Sequence, residues 1–98
     1  MTLKEFKSSL MQAKPPDSLS EALKALWYDA QGDWDKAHKI AQEIHNSDGA
    51  WVHAYLHRKE GDESNSQYWY SHAGRKFSNL TLEEEWDEIA KALLKSNS

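Results

Sequence analysis

Ninety-eight residues make one domain with room for one small core. Twelve basic and 16 acidic residues give a net charge of -4, which argues against the positive field that nucleic acid or an anionic membrane requires. The chain has no cysteine, so disulfides, thiolate metal sites and cysteine nucleophiles are excluded.

Thr2 to Ala13 reads as a first helix. Thr2 and Glu5 form a capping box, and Leu3, Phe6, Leu10 and Ala13 recur at helical spacing. Lys14-Pro15-Pro16 ends it, because proline excludes its preceding residue from the α region. The lysines and Glu5 among these residues leave no hydrophobic stretch of a secretion signal. A second helix is expected from Ser18, boxed with Glu21, along the stripe Leu19, Ala22, Leu23, Leu26 and Ala30. Gly32 closes it, and Asp33 caps a third helix with Trp34, Ala37, Ile40, Ala41 and Ile44 on its apolar face.

After the loop Asn46 to Gly49, a fourth helix is expected from Gly49 to Glu60, rich in Trp51, Val52, Tyr55 and Leu56. Gly61 ends it. A fifth helix covers Asn65 to Ala73, capped from Asp62 or Ser64, and Gly74 ends that one. Thr81 and Glu84 open the last helix, which runs to about Lys95 along Leu82, Trp86, Ile89 and Leu93. Its acidic start and its Lys91 and Lys95 match the helix dipole. No stretch alternates as a strand does, so the fold class is all-α with six helices. No apolar run approaches the roughly 18 residues of a membrane span, and the absence of cysteine fits the cytoplasm.

Gly32-Asp33 and Gly61-Asp62 lie 29 positions apart. In that register Ala25 falls on Ala54, Ala37 on Ser66 and Ile44 on Ala73. Helices two and three thus form one antiparallel hairpin, and helices four and five a second, each with small residues where the backbones cross. The terminal helices flank them and cover the open ends.

Gly32-Asp33-Trp34-Asp35-Lys36-Ala37, with Tyr28 before it, resembles the turn of a tetratricopeptide repeat over roughly residues 19–74. The chain departs from that repeat in its 29-residue spacing, in His57 at the second aromatic position and in lacking a closing proline. The longer string from Ala50 to Arg58, with Glu60-Gly61-Asp62, Tyr68-Trp69-Tyr70 and Ala73-Gly74-Arg75, resembles a family of small uncharacterised proteins with no assigned activity. This resemblance implies a fold of tetratricopeptide-like hairpins and no function.

His53 and His57 are four apart on one helix, and Glu60 follows three later. Two imidazoles and a carboxylate on one face can hold zinc or another divalent metal. The same three residues, lying opposite Trp51, Val52 and Tyr55, also read as an ordinary solvated face. Tyr68 and His72 repeat the spacing on the fifth helix, and Arg58 and Arg75 are nearby cations. Together with the histidines they compose a shallow groove for an anion or a peptide carboxylate, or else a plain polar surface. Trp34, Trp51, Trp69 and Trp86 sit in apolar stripes and are assigned to the core, with Trp27 at its edge. No nucleophile elbow or phosphate loop is present, so no catalytic residue is assigned.

The leading expectation is therefore a non-catalytic interaction module of helical-repeat type that binds a protein partner or itself. The alternative is a small-molecule, anion or metal-binding protein, or an enzyme, centred on His53 and His57. The wide apolar arc of Trp51, Val52, Tyr55 and Leu56 is the expected seat of any self-association, with Tyr55→Glu as the probe.

Overall fold

The structure, a computed structural model, describes residues 1–97. Its helices are α1 Leu3–Ser9, α2 Glu21–Ala30, α3 Trp34–Gln42, α4 Ser47–Lys59, α5 Glu63–His72 and α6 Leu82–Asn97. The chain is all-α, with no strand among the described residues and no helix long and apolar enough to cross a membrane.

Local chemistry sets the helix ends. The Thr2–Glu5 and Thr81–Glu84 capping boxes both form, each exchanging two hydrogen bonds of 2.8–3.1 Å. The box expected at Ser18 does not form. Ser20 caps α2 instead, accepting from the Leu23 amide, and Leu19 just before it goes into the core. α1 stops at Ser9 rather than Ala13 because α2 takes over its last carbonyls. Trp27 Nε1 donates to the Ser9 carbonyl at 3.2 Å, and Gln31 Nε2 to the Leu10 carbonyl at 2.6 Å. α4 begins two residues early, capped by Asn46, and α5 begins at Glu63 under the cap of Asp62.

The Gly-Asp turn is used twice. Gly32 and Gly61 have φ of 85° and 86°, where a side chain is strained. At each, the next residue's amide reaches back to the helix, Asp33 to the Tyr28 carbonyl and Asp62 to the His57 carbonyl. The same aspartates then cap α3 and α5. Each two-helix unit is thereby reversed into a hairpin, α2 packing on α3 and α4 on α5.

Ala25, Ala37, Ala54 and Ser66, the four small residues matched by the repeat, are all fully buried. Ser66 Oγ donates to the Ala54 carbonyl at 2.9 Å, so the second crossing is also hydrogen-bonded. α4 lies at the centre, against α2, α3, α5 and α6, while α1 closes on α6. Every α4 residue from Gly49 to His57 is buried as a result.

This centrality overturns two expectations. His53 and His57 are not a solvated face, because α3 and α5 cover the side opposite Trp51 and Tyr55. The wide arc of α4 is likewise filled from within the chain. Tyr55 is buried, with its hydroxyl donating to Asp29 at 3.1 Å, so Tyr55→Glu would probe folding before self-association. The tryptophans redistribute as well. Trp27, expected at the edge, is buried, whereas Trp34 and Trp69 are only half-buried.

Candidate functional site

α3 packs against α4, and the residues next to the buried Ala37 and Ala54 are His38 and His53. Their Nε2 atoms lie 2.9 Å apart. His57, one turn along α4, stacks on His53 at a ring separation of 4.9 Å and meets His38 edge-on at 5.0 Å. A donor nitrogen from each of the three lies within 4.8 Å of the others.

Indoles wall the cluster. Trp34 stacks on His38 at 4.7 Å, and Trp69 stacks on His53 at 4.1 Å. Trp34 is fixed in turn by its Nε1 donating to the Leu56 carbonyl at 2.8 Å. His57 Nδ1 lies 2.8 Å from Glu60 Oε1 and 3.9 Å from Asp62 Oδ2. A carboxylate on Nδ1 fixes the ring orientation and leaves Nε2 as the free donor.

Electrostatics favour the neutral form of His53 and His38. Burial, and then the neighbouring imidazoles His38 and His57, push His53 down to about 4. Burial first and His57 second also lower His38, against the pull of Glu60 and Asp35. Neutral imidazole is the form that ligates metals. Two ring nitrogens bound to one zinc at about 2.05 Å stand about 2.9–3.4 Å apart, for angles from 90° to tetrahedral. The His38–His53 separation falls in that range. In a metal-free chain the same contact is a hydrogen bond in which one imidazole donates to the other.

The expected site residues separate into two groups. His53 and His57 come together, with His38 as their third nitrogen. Glu60, expected as a direct ligand, instead turns to the back of the His57 ring. Tyr68 and His72 meet at 4.5 Å on α5 and join the cluster through Trp69, which lies 5.2 Å from Tyr68 and 5.4 Å from His72. Arg58 and Arg75 do not join them. Arg58 pairs with buried Glu85 at 2.8 Å and donates to the Leu80 carbonyl, while Arg75 lies 3.3 Å over the Trp51 ring. The expected groove of imidazole, phenol and guanidinium therefore does not form.

The chain matches no protein-family model, no curated protein and no solved structure.

Sequence reasoning missed His38. Its signal was its place after Ala37, the small residue of the α3 crossing, and four residues after Trp34. Beside the cluster, the end of α3, the start of α4 and the end of α5 enclose a cleft of about 390 Å³ that shares His53 as a wall.

Proposed function

We propose that this protein binds a divalent transition metal ion through His38, His53 and His57, with Glu60 orienting His57 from behind. One observation carries the reading: the ring nitrogens of buried His53 and half-buried His38 lie 2.9 Å apart, with a third imidazole against both. Three nitrogen donors suit zinc, copper, nickel or cobalt and disfavour calcium and magnesium, which take oxygen. The indoles hold the rings in place before the ion arrives, which lowers the ordering cost of binding.

Titration calorimetry with zinc and cobalt, with metal content measured after dialysis, tests this. One ion per chain is expected. His38→Ala and His53→Ala should abolish uptake, and Glu60→Gln should weaken it about 10–100-fold. A wild-type chain that retains no ion, or a His53→Ala variant that binds as wild type does, overturns the reading.

A protein-interaction role is the second reading. The paired hairpins support the likeness to tetratricopeptide repeats, and a groove of about 430 Å³ bordered by Leu10, Tyr55, Leu82 and Trp86 is the surface such a role would use. The cytoplasm is the proposed location, supported by the absence of cysteine.

A further inference from the structure

Three imidazoles leave a bound ion short of ligands. Structural zinc sites close with four protein donors, whereas sites that exchange water or substrate keep a position open. Two carboxylates cluster with His57, and both are engaged elsewhere. Glu60 holds His57 Nδ1, and Asp62 accepts from the backbone amide and the side chain of Asn65. The missing ligand must come from outside the cluster.

The cleft that shares His53 has a distinctive lining. It holds no carboxylate, in a chain with 16 acidic residues. Its walls include the apolar side chains of Ala41, Ile44 and Ala50 and the ring of Trp69, and the imidazoles of His45 and His72 are among its polar groups. A cation finds nothing there to pair with. An anion finds imidazole donors, and a flat apolar body finds aliphatic and indole surface.

We infer that this cleft admits a small planar carboxylate, whose ring lies on the apolar wall and whose carboxylate completes the coordination of the metal. This rests on the three-histidine metal reading.

Cobalt-loaded protein reports on both claims separately through its visible absorption. Wild-type protein should show a cobalt spectrum that changes saturably on adding benzoate and stays unchanged with benzamide, the uncharged isostere. Ala50→Trp, which fills the cleft, should keep the cobalt spectrum and respond to benzoate at least tenfold more weakly. His72→Ala should weaken the response several-fold. No cobalt spectrum in wild type overturns the metal reading and this inference with it. A cobalt spectrum indifferent to benzoate, or an equal response to benzamide, overturns this inference alone. Magnetisation transfer in zinc-loaded wild-type protein decides the case even if Ala50→Trp fails to fold. Transfer from benzoate to the Ile44 and Ala50 methyls supports the cleft, and benzoate contacts elsewhere overturn it.

Discussion

His53 is held on both sides, by Trp69 on one ring face and His57 on the other, with its Nε2 against His38. This enclosure has a consequence for the metal-free protein. The folded state holds His53 at about 4, against 6.5 for an unburied imidazole. Between those values the unfolded chain binds the proton and the folded chain does not, so stability rises with pH across that window. The stabilisation is complete above about pH 7 and is lost progressively as pH falls from 6.5 towards 4. Its size is at most about 3 kcal/mol. Urea denaturation at pH 7.5 and pH 4.5 should show the loss in wild type and a smaller loss in His53→Gln, with His38 supplying the remainder. Equal pH dependence in the two proteins would place the titration elsewhere.

Arg58 teaches the opposite lesson at the same scale. By residue type it looked like a ligand-binding cation, yet it neutralises buried Glu85, which also accepts from the Tyr70 hydroxyl. Burial, with that hydrogen bond second, pushes Tyr70 far above its usual ionisation range, so the phenol stays a donor. Arg58→Ala leaves a buried carboxylate without its cation and should cost about 3–5 kcal/mol in chemical denaturation. Loss of metal binding with unchanged stability would contradict this assignment.

Among the elements, the helices and their turns were legible because each depends on residues near in sequence. The Thr2 and Thr81 boxes and the repeated Gly-Asp turn appear as read, and most of each apolar stripe is inside, though Ala13 and Ala30 are exposed and Ala13 and Ile44 fall beyond their helices. The end of α1 was not legible, since it is set by side chains of α2. The glycines separate two kinds of constraint. At Gly61, φ is 86° and nothing lies within 4 Å of an added Cβ, so Gly61→Ala costs backbone strain alone, about 1–2 kcal/mol. At Gly49, in the first turn of α4, an added Cβ would lie 2.5 Å from Ile44 Cβ and 2.6 Å from its carbonyl oxygen. Backbone cannot yield there as a flexible side chain can. Gly49→Ala should therefore lower the melting temperature despite alanine's better helix propensity, which in an exposed helix would raise stability by about 1 kcal/mol. A stabilised Gly49→Ala would show that the Ile44 turn can move aside.

At the scale of the whole molecule, one core runs through all six helices except α5's outer face, and α4 is its axis. The candidate site was only half legible for that reason. His53 and His57 announce themselves by spacing, but their burial comes from helices packed on every side, and their partner His38 lies 15 residues earlier on another helix. That placement would give a bound metal a structural role as well. His38 belongs to the first hairpin, and His53 and His57 to the second, so an ion held by all three ties the hairpins together at the α3–α4 seam. Hydrogen bonding across the seam at this point is otherwise the imidazole pair and the Trp34 bond to the Leu56 carbonyl. Because the unfolded chain scatters the three imidazoles, binding favours the folded state. At a hundredfold excess of free zinc over its dissociation constant, mass action adds about 2.7 kcal/mol. For a domain of this size that should raise the melting temperature by about 10 °C or more. His38→Ala should remove the zinc-dependent shift while the metal-free variant still melts cooperatively, because α3 keeps the Trp34 bond to Leu56 and the Ala37 crossing. Scanning calorimetry at several zinc concentrations decides it. A melting temperature that does not climb with zinc in wild type, or climbs equally in His38→Ala, would mean that the ion does not join the two hairpins.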